Sequence, residues 1–163
     1  MTPAEVVRDS IIEPTYMGVL PGRFASRAAT VLLLAIGLQE SRLVFRQQIG
    51  GPARGLWQFE RGGVAGVLAH AASDRFARAA CLIRGVVPTA ATIYDRLAHD
   101  DLLACAFARL LLYTDPRPLP APGEVEASWS YYLRTWRPGK PHRATWDALY
   151  ASAIAAIETE ALL

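Results

Sequence analysis

The run from Ala28 to Leu38 is apolar almost without interruption, and it stops abruptly at Gln39-Glu40-Ser41-Arg42. It is well short of the roughly 20 residues needed to cross a bilayer. A run apolar on every side is instead expected as a buried helix at the centre of the core. That helix is expected from about Phe24 to about Val44. The segment Gln48 to Gln58, with three glycines and a proline, cannot continue it.

Most of the remaining chain also reads as helix, rich in alanine and leucine and with no sustained strand-like alternation. Thr2-Pro3-Ala4-Glu5 combines a capping threonine, a proline suited to the first turn and a glutamate that completes a capping box. This first helix is expected to end before Pro14, ahead of a loop with Gly18, Pro21 and Gly22. Further helices are expected near Glu60 to Ala72, Ser73 to Arg84, Thr89 to Ala98 and Asp100 to Tyr113, with Ser73 and Thr89 as caps. The proline-rich stretch from Asp115 to Gly123 is a stiff surface connection. Helices near Glu124 to Thr135 and Ala144 to Ala161 close the chain, separated by Arg137-Pro138-Gly139-Lys140-Pro141. With 163 residues and no composition break, residues 1–163 are expected to form one domain.

Composition narrows the function classes. The 17 basic and 15 acidic residues nearly cancel, which argues against a dedicated nucleic-acid binder. Hydrophobic residues make up 52% of the chain, too many for a disordered protein. Cys81 and Cys105 lie among apolar neighbours and are expected as buried thiols, with their pairing left open. No Cys or His cluster suggests a metal site, so neither metal nor cofactor is expected. Glu5, Arg8, Asp9 and Glu13 replace the basic start and apolar stretch of a signal peptide. Synthesis in the cytoplasm, with no export signal and no membrane span, is the expectation.

Chemistry concentrates between Ile36 and Glu60. Glu40 stands where a buried helix emerges, with Ile36 and Leu33 about one and two turns behind it and Gly37 leaving room beside it. A carboxylate with one dry side has its ionised form disfavoured, which suits a general acid near neutral pH. The glycines that follow allow close backbone approach to a ligand. Trp57 and Phe59 offer flat apolar faces and Gln58 a donor and an acceptor, a mixture suited to sugars. The opposing reading is a helix-end carboxylate paired with Arg42 or Arg54. The aromatic residues Trp129, Tyr131, Tyr132 and Trp136, at near-helical spacing, read as core more than cleft.

Glu40-Ser41 followed by Gly51-Pro52-Ala53-Arg54-Gly55-Leu56-Trp57-Gln58 resembles the lytic transglycosylase branch of the lysozyme superfamily. There a catalytic Glu-Ser pair ends a buried helix, and a segment of the form (S/G)-x-x-G-A-x-G-L-M-Q follows. Trp57 occupies the family's methionine position, and Pro52-Ala53 replaces a glycine-alanine pair. The later Ala-Tyr-Asn segment has only Ser128-Trp129-Ser130-Tyr131-Tyr132-Leu133 as a counterpart, without the asparagine. The resemblance covers roughly the first third of the chain. It implies a mainly α, lysozyme-like (goose-type) domain with at most a small β or irregular segment after the catalytic helix.

It further implies that Glu40 protonates the bond between N-acetylmuramic acid and N-acetylglucosamine. Glu40 then accepts the proton of the C6 hydroxyl as a 1,6-anhydro ring closes. Ser41, Gly55, Leu56, Trp57, Gln58 and either Tyr131 or Tyr132 would contact substrate. Peptidoglycan glycan strands would be the partner. Size and the absent leader resemble bacteriophage virion-associated muralytic proteins, which reach the wall during infection and sit beside other virion or tail proteins. Three alternatives stay open. One is a hydrolytic lysozyme using Glu60 as second carboxylate, which needs the pair about 5–9.5 Å apart. The second is a non-enzymatic virion structural or ejection protein. The third is a helical regulatory or DNA-associated domain.

Overall fold

The computed structural model describes residues 1–159, and these are mainly helical, with no strand among them. The expected end of the last helix near Ala161 lies outside the described residues. In chain order the helices are α1 (Pro3–Val7), α2 (Glu13–Gly18), α3 (Arg27–Ser41), α4 (Arg61–Ala69), α5 (Asp74–Arg84), α6 (Ala90–Arg96), α7 (Asp101–Tyr113), α8 (Val125–Trp136) and α9 (Arg143–Glu158).

Helix α3 is the axis of the molecule. Every residue from Ala29 to Leu38 is buried, because the helix is enclosed along its length by α9 and flanked by α7 and α1. The Ser26 hydroxyl accepts the Ala29 N–H and sets its start at Arg27, three residues after the expected Phe24. Helix α7 is buried nearly all round from Leu103 to Leu110. One hydrophobic cluster extends from Ala4 to Ile157. Cys81 and Cys105 are free thiols within it.

Three local expectations are corrected. The first helix does not stop before Pro14. A π-helical segment, Arg8–Ile12, widens the ladder, so that the Glu13 N–H reaches back to the Arg8 carbonyl. Pro14 then falls in the first turn of α2, where a missing N–H leaves nothing unpaired. Ser73 precedes α5 but does not cap it. Its hydroxyl donates instead to the Val67 carbonyl at 2.7 Å, closing the turn after α4. Thr89 does cap α6. Third, the helix expected from Glu60 to Ala72 ends as α4 at Ala69.

The chain leaves α3 through a strained turn. Arg42 and Leu43 both take left-handed backbone, at φ 57° and 56°, a costly region for residues with a Cβ. Ser41 helps hold them there. Its Oγ accepts the Leu43 N–H at 3.2 Å and donates to the Leu56 carbonyl at 2.6 Å. Residues 42–60 then run as irregular backbone with two isolated antiparallel bridges, Gln47 to Arg54 and Arg54 to Phe59. The proline-rich connection is pinned down. Asp115 pairs with Arg134 of α8 at 3.1 Å, and the Gly123 N–H donates to the Tyr150 hydroxyl at 3.0 Å.

Candidate active site

A groove of about 680 Å³ opens where the end of α3, the 42–60 loop, the start of α4 and the end of α8 meet. Glu40 lies on its wall, half-buried in the last turn of α3. The Tyr132 hydroxyl, from α8, donates to Glu40 Oε1. Glu40 forms no ion pair among the described residues. The two arginines that could have neutralised it are turned elsewhere. Arg42 donates to the Leu38 carbonyl, and Arg54 lies over the Tyr94 ring, 5.4 Å from its centroid.

Burial raises the Glu40 pKa above the ordinary carboxylate value, while the Tyr132 hydrogen bond pulls it the other way. The carboxylate also stands at the end of a helix where the macrodipole disfavours an anion. Burial is likewise the first cause that pushes the Tyr132 phenol up, with the Glu40 charge acting in the same direction. The hydroxyl therefore stays protonated and remains a donor to Glu40. Its ring is fixed by parallel stacking on Trp146 of α9, at 5.4 Å and 4°.

The opposite side is aromatic and polar. Phe59 and Trp136 meet edge to face at 6.0 Å, and both line the groove. Trp136 Nε1 donates to the Trp57 carbonyl at 3.0 Å, fastening α8 to the loop. Gln58 lines the groove with a positive φ of 53°. Its side-chain nitrogen is held by the Gly55 carbonyl at 2.9 Å and the Phe45 carbonyl at 3.3 Å. Gln58 thus braces the loop while presenting its edge to the groove. Glu60 is exposed at the N-terminus of α4 and lines the same groove. Arg137 and Lys140 of the α8–α9 connection form a cationic rim, with His142 lining the groove beside them.

The structure therefore brings Glu40, Gln58 and Tyr132 together and leaves other expected contacts behind. Ser41 is buried, and its hydroxyl is committed to the exit turn of α3. Leu56 and Trp57 are fully buried. The Leu43 side chain fills the room beside Gly37 with the Trp57 indole next to it, and that indole donates to the Leu33 carbonyl at 2.8 Å. The space that Gly37 leaves thus serves packing. Gly55 is needed for a turn, since its φ is +77° and a Cβ there would stand 2.9 Å from the Leu97 carbonyl. Tyr131 points to the other side of α8 and donates to the Leu112 carbonyl at 2.7 Å. Contact of the Ser41, Leu56, Trp57 or Tyr131 side chains with a ligand in the groove is accordingly corrected to a bracing or core role, and Gly55, which does not line the groove, serves the turn. Of the two tyrosines, it is Tyr132 that faces the groove.

Thr135 is not singled out by the sequence, where Trp136 reads as core more than cleft and Arg137-Pro138-Gly139-Lys140 as a surface loop, with contact to anionic muropeptide stems as the alternative. Tyr132 and Trp136 are four residues apart, and so share one face of a helix. That signal does not by itself distinguish a core stripe from a groove stripe. Among the described residues no three of His, Cys, Asp or Glu converge as metal ligands. No helix there is long and apolar enough to cross a membrane. No protein-family model matches the chain, and neither a curated protein nor a solved structure matches it.

Proposed function

We propose that this chain is a peptidoglycan lytic transglycosylase with a lysozyme-like fold. The observation that carries the reading is the environment of Glu40. It is a half-buried carboxylate free of any ion pair among the described residues, at the edge of a sugar-sized groove, with one hydroxyl donor in place.

In this reading Glu40 enters the reaction protonated and gives its proton to the glycosidic oxygen between N-acetylmuramic acid and N-acetylglucosamine. The bond from that oxygen to C1 breaks, and C1 becomes oxocarbenium-like. Glu40, now a carboxylate, takes the proton of the muramic acid C6 hydroxyl as O6 bonds to C1. The proton count on Glu40 returns to its starting value and no water is consumed. Tyr132 is a positioning residue: its hydrogen bond strengthens as Glu40 becomes charged, which eases proton release. Phe59 and Trp136 offer apolar faces to pyranose rings, and Gln58 a polar edge. The chain would act on the cell wall, carried there as a virion component.

A hydrolytic variant of this reading has one observation in its favour: Glu60 lines the groove that holds Glu40. Digestion of purified sacculi followed by mass analysis separates the outcomes. Anhydro-muropeptides, lost in Glu40→Gln, support transglycosylation. Reducing ends lost in both Glu40→Gln and Glu60→Gln support hydrolysis. A folded protein that releases neither removes the enzyme reading.

A further inference from the structure

The groove continues past the carboxylate. A second lobe of about 460 Å³ shares Gly62, Gly63, Leu111, Thr135, Trp136 and Arg137 with the first. From there it extends over Gly66 towards His70, Asp115 and Arg134. Its floor is the bare backbone of α4: a Cβ built on Gly62 or Gly66 would meet nothing within 4 Å.

The charges of this lobe are unequal. Asp115 is occupied by Arg134 at 3.1 Å and Arg117 at 3.4 Å. Arg137 is exposed and makes no ion pair among the described residues. Its Nε rests on the Arg134 carbonyl at 3.4 Å, and its backbone is held in the left-handed region at φ 49°. At the far end His70 accepts the Ala72 N–H through Nδ1, which leaves Nε2 as the protonated, donating nitrogen. A branch lined by an unpaired guanidinium and a free imidazole N–H, with its own acid already neutralised, fits an anionic group better than another neutral sugar.

We propose that the second lobe receives a carboxylate-bearing peptide branch of the polymer whose glycan lies in the first, with Arg137 as the residue that pairs its carboxylate. The inference rests on the wall-polymer reading, in which each muramic acid can carry a stem peptide with free carboxylates. Arg137 lines both lobes, so it stands where such a branch would leave the glycan. It would set a preference for stem-bearing over stripped strands.

The test compares kcat/KM on glycan strands with tetrapeptide stems intact and on the same strands stripped by an amidase. Wild-type protein, Arg137→Gln and Gly66→Leu are assayed side by side. Gly66 lines only the second lobe, and the open space above it lets leucine fill the lobe without disturbing buried Val64 and Val67. One charge-assisted contact corresponds to a preference of about tenfold for stem-bearing strands. Both variants are expected to bring that ratio towards one, mainly through KM.

Equal use of both substrates by wild type overturns the proposal while leaving the glycan reading intact. So do variants that slow both substrates alike, since the lobe would then hold sugar. Cleavage of neither by folded wild type removes the glycan reading, and this specificity with it. A titration with the free stem tetrapeptide, followed by amide shifts, does not depend on turnover. Shifts at Gly66, His70 and Arg137 support the lobe, and their absence overturns it.

Discussion

Replacing Tyr132 by phenylalanine isolates the hydroxyl that reaches Glu40. The ring stays, so its stacking on Trp146 is preserved, and only the donor to Oε1 is lost. That donor favours the charged form of Glu40, so its removal raises the Glu40 pKa further. A hydrogen bond to a charged group is worth about 1.5–3 kcal/mol, and one pKa unit corresponds to about 1.4 kcal/mol. The expected rise is therefore about one to two pH units, with the half-exposed geometry favouring the lower end.

A general acid works only while protonated, so activity falls as pH climbs past its pKa. The basic limb of the pH–rate profile should move upward by about one unit in Tyr132→Phe. The plateau rate should drop as well, because the departing proton leaves a less stabilised carboxylate. The assay is anhydro-muropeptide release across a pH series that starts below the ordinary carboxylate value and runs upward until activity is lost. A basic limb that stays in place, or moves down, would refute the argument that Tyr132 stabilises the carboxylate.

Further outcomes follow from the same contacts. Ser41→Ala leaves the buried Leu56 carbonyl without its 2.6 Å partner and should cost about 1–3 kcal/mol of stability by denaturant melts. Below its transition the variant should keep activity within a few-fold of wild type. Gly55→Ala places a Cβ at φ +77° and 2.9 Å from the Leu97 carbonyl. It should lower stability by about 1–3 kcal/mol, read as an earlier unfolding midpoint. Glu40→Gln should abolish product while raising Tm at pH 7. Folded Glu40 holds its proton more tightly than the unfolded chain, whose value is near 4.5. Its contribution to stability is therefore full below about pH 4.5 and lost as pH rises through the folded pKa. The gain in Tm should accordingly shrink towards zero at pH 4.

The central helix and the position of Glu40 at its end were legible in the sequence because both follow from hydrophobic patterning. Residues 28–38 have no polar side wide enough to face water, so the helix had to be enclosed, and the first charged residue after it had to sit at the surface of the core. Side-chain direction within the 42–60 loop was not legible. Left-handed backbone at Arg42 and Leu43 reverses the chain in a way that no glycine announces, and it turns Ser41 inward. Trp57 looked suited to a sugar by its type, yet it is buried beside Leu43 at the Gly37 notch and tied to the Leu33 carbonyl.

The choice between Tyr131 and Tyr132 was likewise settled by what α8 packs against. One side of that helix meets the Leu112 carbonyl at the end of α7 and the other meets Trp146 and Glu40. The π-helical segment before Pro14 was hidden for a related reason. A proline signals a break in the sequence, but not whether the ladder widens to accommodate it.

The account stands on a single proton-carrying side chain, and its titration can be followed directly. In protein labelled with carbon-13 at glutamate side chains, the carboxyl signal that disappears in Glu40→Gln reports that residue alone. The expected midpoint lies above the ordinary glutamate value of 4.5, and coincides with the basic limb of the activity profile of the free enzyme. A midpoint at or below that ordinary value would contradict the claim that Glu40 is held dry enough to serve as the acid.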